Sequence, residues 1–516
     1  MAPFKVIIAG GSLVGLSLAL IFERLGIDYE VFEKGEIAPQ LGASIGLHPH
    51  SLKILEQLGV WGDIEKHILP LQRRFHYDEN LKCFEDSWVL RDIEENLHRP
   101  IIFMPRCDAL KILYSHIQNK QKIFDHTAVH SYEENNEGVK VTTSDGKVHQ
   151  CDMLIGADGI HSQVRKRMSE EIAKEDQALS KAINEGFTAE YKTLFAISQN
   201  DPQSPFLPDA AVQNTYYDGY SGVVAAGVPG LAFWFLFVKI PKSKTPNCPR
   251  YTEEDANNLA KQYSHVKFGP GYTLGDLWNK LVKSTLVPME EGVLKKWSHG
   301  RVLLMGDAVH KLTTPQATVN PGLGGNLAYE GIAHFTNLLH SLLLQNPNPS
   351  IAELTTLFNT FETRHRPRAT TVVNLSGSIT RYEAQEAWYL KYASRYIVPL
   401  VSDKIKANLY SNFSRGGPHL EFLPLPERDR EEQELTENKK KMGNQGCLTV
   451  GRFIAIGGAV KEKKERKRRK KKQKKGSEAK FKSEFECECE IESEFIYWRG
   501  RGMAINQDMD SDLLVT

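Results

Sequence analysis

"MAPFKVIIAGGSLVGLSLALIF", residues 1–22, is among the most apolar stretches of a 516-residue chain that is otherwise ordinarily polar. A signal peptide, a membrane anchor, and a buried strand feeding a buried helix would all begin this way. A signal peptide fits poorly, because one Lys precedes the apolar core and glycines interrupt it. An anchor fits no better, since Gly10-Gly11-Ser12 divides the run. "KVIIA" (5–9) is a short β-branched run of the kind found in buried parallel strands. "LSLALIFERLG" (16–26) repeats apolar residues at helical spacing and stops on Gly26, and "DYEVFEK" (28–34) reads as a second strand. The stretch is therefore the opening of a β-turn-α-β unit.

In such a unit Gly10 allows a tight turn and Gly15 allows the helix to pack closely on the strand. The N-terminus of the helix offers free N–H groups and a positive dipole end to a pyrophosphate. Ser12 stands where the middle glycine of GxGxxG would be. Glu33 ends the second strand, where an acid can accept from a ribose hydroxyl. Two further strand ends carry Asp beside Gly: "CDMLIGADGIHSQVR" (151–165), with Asp158, Ser162 and Arg165, and "GRVLLMGDAVHK" (300–311), with Asp307. "NPGLGGNLAYEGI" (320–332) is a Gly-rich loop opening a helix.

Composition narrows the class. Hydrophobic residues are 41% and charged residues 25%, which suits a globular chain with a sizeable core. Lys+Arg 65 against Asp+Glu 64 leaves no global field for nucleic acid. The seven cysteines are scattered without CxxC spacing, which argues against a zinc site or disulfide framework and for a reducing, intracellular compartment. No stretch reaches the ~20 apolar residues of a spanning helix. His310 and His365 have no carboxylate or His partner at ligand spacing, so no metal site is expected.

Residues 187–295 lose the βαβ rhythm. "VQNTYYDGYSGVVAAGVPGLAFWFLFVKIP" (212–241) reads as aromatic-rich antiparallel strands with turns at Asp218-Gly219 and Pro229-Gly230. An apolar, aromatic wall of this kind suits a greasy ligand. Adjacent Tyr216 and Tyr217 must alternate faces, so only one of them points inward. Segments 331–345, 350–385 and 387–410 are helical by periodicity. "KEKKERKRRKKKQKK" (461–475) holds 12 Lys/Arg in 15 positions and is followed by acidic "SEFECECEIESEF" (483–495). Four readings stand for this tail: a nucleic-acid patch, an acidic-lipid patch, a solvated disordered tail, or translated non-coding sequence.

The three motifs, in this order and at this spacing, resemble the FAD-dependent monooxygenases of the para-hydroxybenzoate hydroxylase type, over about residues 4–400. "APQLGASIGLHPHSLKILEQLGV" (38–60) and "FLPLPER" (422–428) look like the fungal branch that epoxidises prenyl chains in meroterpenoid and indole-diterpene pathways. The resemblance implies an α/β fold: a Rossmann-like FAD-binding domain with an inserted antiparallel-sheet substrate domain and C-terminal helices. Its divisions would be 1–186 and 296–345 for the FAD-binding domain, 187–295 for the substrate sheet, 346–428 for a helical region and 429–516 for the low-complexity tail. It implies FAD as cofactor, NAD(P)H as transient reductant, and O2 with a small apolar prenylated substrate.

By the same resemblance Gly10, Ser12 and Gly15 cradle the pyrophosphate and Glu33 binds the adenosine ribose. Gly46 brings backbone to the flavin, and Arg106, in "FMPRCDALKILY", contacts FAD. Asp158 takes a structural and nicotinamide-approach role, Asp307 holds the ribitol, and Gly325 lines the ring or pyrophosphate. Tyr216 presents its phenol to the reacting oxygen or the substrate. A hydroxylase of aromatic or polyketide substrates on the same scaffold is the rival. The text between His310 and Asn326 is about five residues longer than the family pattern, around 313–320. That excess keeps a flavin-binding protein without turnover in play. Specific nucleic-acid binding is not expected. Peripheral contact with a membrane such as the endoplasmic reticulum surface, and the oligomeric state, stay open.

Overall fold

The computed structural model describes residues 4–38, 44–135, 137–312, 323–427 and 429–430. The 313–320 excess and the charged tail lie outside the described residues. The opening stretch forms strand Lys5–Ala9 and helix Leu13–Leu25, with Gly26 as a left-handed C-cap. Val6, Ile7 and Ile8 are wholly buried because the strand is central. It pairs in parallel with Asp28–Phe32 on one side and Met153–Gly156 on the other. The six-stranded sheet is completed by Val302–Leu304, short Ser298–His299 and Ile123–Phe124. All three strands that end in the sequence motifs thus lie side by side, with their carboxyl ends at one edge, where open α/β sheets bind ligands.

An eight-stranded sheet stands beside this unit, built mainly from Thr188–Gln199, Ala211–Tyr216, Tyr220–Val228, Leu231–Lys244 and Leu281–Val293. Pairing is antiparallel across these five. Strands Arg73–Tyr77 and Cys83–Ser87, from the first segment of the chain, extend it, Arg73–Tyr77 running parallel to Ala211–Tyr216. His310–Lys311 closes its other edge. The expected turns sit at Gly219 (φ 80°) and Gly230 (φ 75°). One face packs Trp234, Leu236 and Tyr217 under helices Glu253–Gln262 and Leu274–Asn279. The opposite face presents Phe233, Phe235 and Phe237 toward Phe103 and the C-terminal helix Asp403–Arg415.

Helices Leu323–Gln345 and Ile351–Glu383 pack on each other. Their packing encloses a buried Arg368–Glu330 pair. The second helix runs through Pro367 without ending. The helical reading of 387–410 needs correction. Helix Trp388–Tyr396 ends before a short 3-10 turn at Val398–Leu400, and a new helix starts at Asp403. Pro399 has no N–H to donate to a continuing helix, and the next one starts after Ser402 in extended backbone. Among the described residues no helix is long and apolar enough to cross a membrane.

Candidate active site

The glycine turn is dictated by contact distances. Gly10 has φ +109°, and a Cβ there would stand 2.4 Å from the Ala157 carbonyl oxygen. A Cβ on Gly15 would stand 1.9 Å from the Gly10 carbonyl oxygen. Only hydrogen fits at either place. Ser12 is the N-cap of helix Leu13–Leu25, but its side chain makes no capping bond. It accepts instead from Arg106 Nη2 at 2.7 Å. The N–H groups of the first helical turn therefore lack a side-chain cap, the condition an anion at a helix N-terminus exploits.

Glu33 reaches the same turn. Its carboxylate accepts from Gly11 N at 2.7 Å and from Gly35 N at 3.0 Å. Arg106 opens helix Arg106–His116, and the preceding strand Ile102–Pro105 pairs with Ser44–Leu47, setting Gly46 opposite Phe103. Asp307 sits in the 3-10 turn Gly306–Ala308 after its strand, hydrogen-bonded to Lys311. Burial pushes the Asp307 carboxyl up, but the Lys311 and Arg106 charges outweigh it and hold the group below the usual carboxylate range. A Cβ on Gly306 would meet the Val14 side chain at 2.8 Å, so the Gly-Asp turn abuts the first helix. Gly325, in the first turn of Leu323–Gln345, would place a Cβ 3.2 Å from Leu13 and 3.1 Å from Ile45. Gly10, Ser12, Gly15, Glu33, Gly46, Arg106, Asp307 and Gly325 thus belong to one connected cradle.

Asp158 does a different job. Its Oδ2 accepts from Gln163 N at 2.7 Å and Val164 N at 3.2 Å, binding its turn to helix Gln163–Ile172. Its Oδ1 is buried without a partner among the described residues, and burial raises the carboxyl. Arg165 donates to the Ala308 carbonyl at 2.9 Å, locking the second motif to the third. Asn326 was not singled out by sequence; it donates to Gly46 O and accepts from His48 N, both at 2.9 Å. Its signal was only its place at the end of the Gly-rich loop.

The two tyrosines part as alternation requires. Tyr217 donates to Lys267 O under the outer helices. Tyr216 is buried on the opposite face and lies 2.8 Å from His76 Nδ1. A cavity of ≈ 160 Å³ opens there, lined by Arg74, His76, Glu85, Tyr216, Tyr382 and Lys406 among others. Burial keeps the Tyr216 phenol far above its ordinary range. Burial and the Arg74 charge push His76 down to about 3. At neutral pH this is a neutral phenol beside a neutral imidazole. Arg74 and His76, on strand Arg73–Tyr77, and Tyr382, near the end of helix Ile351–Glu383, went unrecognised in sequence, because burial by partners distant in the chain leaves no local pattern.

His310, His334 and His365 meet in space although nothing in their spacing announces it. His310 and His365 ring centroids are 5.4 Å apart, and His334 and His365 are 5.7 Å apart. Burial lowers His310 and His334 to about 4. No group of His, Cys, Asp or Glu among the described residues is arranged to hold a metal.

A glycine-turn cradle at the carboxyl ends of a parallel sheet, in a chain that also builds an eight-stranded sheet with a buried tyrosine, defines a flavoprotein oxygenase architecture. The chain belongs to the FAD-binding-domain family, whose profile matches residues 3–376, and is an FAD-dependent monooxygenase. It is 34% identical over 459 residues to the FAD-dependent monooxygenase janM of Penicillium janthinellum, covering 88% of this chain and 92% of that one. It is 33% identical to paxM of Penicillium paxilli, also an FAD-dependent monooxygenase, over 83% and 88% of the two chains. Klebsiella pneumoniae HpxO, solved with FAD and uric acid, shares the fold at TM-score 0.64 and 20% identity, over 80% of this chain and 97% of that one. The 2,6-dihydroxypyridine-3-hydroxylase of Arthrobacter nicotinovorans does so at 0.58 and 16%, over 75% and 95%.

The cradle fits FAD on its own terms. Its turn admits no side chain at Gly10 or Gly15, its helix start carries no side-chain cap, and a carboxylate and a guanidinium flank it.

Proposed function

We propose that the protein epoxidises the terminal olefin of a prenyl chain on a small natural product of the meroterpenoid or indole-diterpene kind, using NAD(P)H and O2. The observation that carries this reading is the inner face of the eight-stranded sheet. Phe233, Phe235 and Phe237 are fully buried on it, and Phe103 meets the first two at a tilt and edge-to-face, with centroids 5.8 and 6.0 Å away. Phe103 is the partner of Gly46, so the aromatic wall adjoins the flavin cradle. An apolar wall beside the redox group favours an olefin over a polar ring.

Bound FAD supplies the reduction by NAD(P)H and the activation of O2. The chain's residues bind and orient. Gly10, Gly15 and the N–H groups behind Ser12 take the pyrophosphate, with Arg106 beside them. Glu33 turns from Gly11 to the adenosine ribose, and Asp307 turns from Lys311 to the ribitol. The backbone of Gly46 and Gly325 approaches the ring, Asn326 holding Gly46 in place. Asp158 fixes the turn past which the nicotinamide arrives. Tyr216, kept protonated by burial, donates its phenol toward substrate or reacting oxygen, and the phenylalanine wall excludes water.

Product analysis tests the reading. Incubation with NADPH, O2 and a farnesylated phenolic acid should add one oxygen atom to the chain, and a simple hydroxybenzoate should stay unchanged. An oxygen atom on the ring of either compound would make the protein an aromatic hydroxylase. A flavin that NADPH does not reduce would leave a binding protein without turnover.

The same reading places the enzyme against a membrane surface when it meets its substrate. Trp388 is 75% exposed, Tyr392 55%, Tyr396 60% and Leu400 81%, all within one short stretch. Exposed Trp and Tyr on one short helix suit the headgroup region of a bilayer. Sedimentation with anionic vesicles tests this; loss of binding in a Trp388→Ser, Leu400→Ser variant is expected, and unchanged binding would refute it.

A further inference from the structure

The cavity beside Tyr216 contains more polarity than an olefin needs. Arg74 is 3% exposed, yet its Nε and Nη1 have no partner among the described residues. His76 Nε2 is likewise unpartnered. Behind them, Asn214 and Glu383 are fully buried, and both polar atoms of each lack a partner. Buried polar groups are ordinarily hydrogen-bonded, and a buried guanidinium cannot shed its charge.

The second cation of the cavity is already balanced, because Lys406 pairs with Glu85. No ion pair at contact distance joins Arg74 to a carboxylate among the described residues, and buried guanidinium N–H groups left without partners are costly. Glu383 faces Arg74, but burial raises its carboxyl well above the usual range, toward the neutral form. The Glu85 carboxylate lies close enough to feel the Arg74 charge, but its ion pair is with Lys406; what Arg74 lacks is an anionic oxygen within hydrogen-bond reach of Nε and Nη1.

Position adds the second half of the argument. Val212 and Arg74 are register partners, as are Asn214 and His76, so Arg74 and His76 stand on the inner face, on the strand next to the edge strand Cys83–Ser87. Tyr216 pairs with Ser221, and Ser221 with Phe237. Crossing from strand Arg73–Tyr77 to strand Leu231–Lys244 takes three strand spacings, about 14 Å. Polar groups occupy one end of that span and phenylalanines, next to the cradle, the other.

We infer that this cavity binds the acidic oxygen head of an amphipathic substrate, a carboxylate or an enolate, with Arg74 as its charge partner. This inference rests on the prenyl-substrate reading above and selects, within it, acidic phenolic or enolic heads over neutral indoles. Arg74 is a specificity residue: it would touch the acidic head of the substrate and take no part in oxygen transfer.

Binding without reductant separates this site from the chemistry. Isothermal titration of the FAD-loaded full chain uses three probes: a farnesylated hydroxybenzoic acid, its methyl ester, and farnesol. The acid should bind at least about tenfold more tightly than the ester, the worth of one charge-assisted hydrogen bond. Arg74→Met should erase that difference while leaving ester affinity unchanged, and Arg74→Lys should restore part of it. Equal binding of acid and ester by the unaltered protein overturns the inference, as does binding of none of the three. Equal losses for acid and ester in Arg74→Met would also overturn it, by making Arg74 merely structural. Should Arg74→Met fail to retain flavin, the acid-to-ester ratio of the unaltered protein still decides. Selective binding of the acid followed by no oxygen transfer would sink the epoxidase reading and leave this site standing.

Discussion

Arg106 and Ser12, 94 positions apart, are joined by a 2.7 Å hydrogen bond that brings a cation to the mouth of the glycine turn. The serine that replaces the middle glycine is thus a docking point for the arginine. Replacing Arg106 with Met removes both the bond and the charge that would face a pyrophosphate. FAD affinity should fall at least about tenfold, as expected when one charge-assisted bond is lost. Titration of flavin-free protein followed by flavin fluorescence measures it, and an unchanged Kd would show that Arg106 plays no part in binding.

The glycines of the cradle differ in what they tolerate. Gly15→Ala puts a methyl 1.9 Å from the Gly10 carbonyl oxygen, so backbone must move. A loss of about 1–3 kcal/mol in stability, with loss of bound flavin, is expected. At Gly324 the nearest atom to an added Cβ is Leu312 Cδ1 at 3.5 Å, an ordinary contact in a helix. Gly324→Ala should be neutral or slightly stabilising. Denaturant melts of the two variants side by side check the contrast.

Tyr216→Phe keeps the ring and its packing against His76, Phe84 and Tyr382 but removes the hydroxyl. Its cost in stability should be about 1 kcal/mol, one neutral hydrogen bond. If the phenol assists oxygen transfer, kcat falls while flavin affinity holds, and wasted NADPH oxidation rises. Equal kcat in the variant would reduce Tyr216 to a wall residue.

Much of this geometry was legible beforehand. Strand Lys5–Ala9, the glycine turn and the two Asp-Gly strand ends declare themselves because each uses local chemistry: β-branched runs, positive φ, short-range capping. The division of Tyr216 from Tyr217 follows from strand alternation alone. What sequence hides is long-range. Nothing local in "QRRFHYDEN" (72–80) marks Arg74 or His76 for burial. Only the pairing of Arg73–Tyr77 with Ala211–Tyr216, across more than a hundred residues, buries them. The histidine cluster is concealed for the same reason, and the break at Pro399 lost out to a strong helical period on both sides.

Acid should destabilise the protein through its buried histidines. His76 falls to about 3 and His310 to about 4, whereas both take up protons near 6.5 when unfolded. Between those limits the unfolded chain binds more protons, so stability declines as pH falls from about 6.5 and recovers as pH rises. Each histidine contributes a slope of up to about 1.4 kcal/mol per pH unit in that window. Urea unfolding at pH 7 and pH 5 measures the total, and His76→Gln should flatten it. A slope that His76→Gln leaves untouched would mean that His76 is charged in the native protein.

The central claim is that this cradle and this wall together deliver one oxygen atom of O2 to a prenyl olefin. Single turnover of the FAD-loaded enzyme with NADPH, isotopically labelled O2 and a farnesylated phenolic acid tests it most directly. One labelled atom in the terminal isoprene unit, with one NADPH consumed per product, is the predicted result. Label on the ring, or NADPH oxidation with unlabelled substrate recovered, would contradict it.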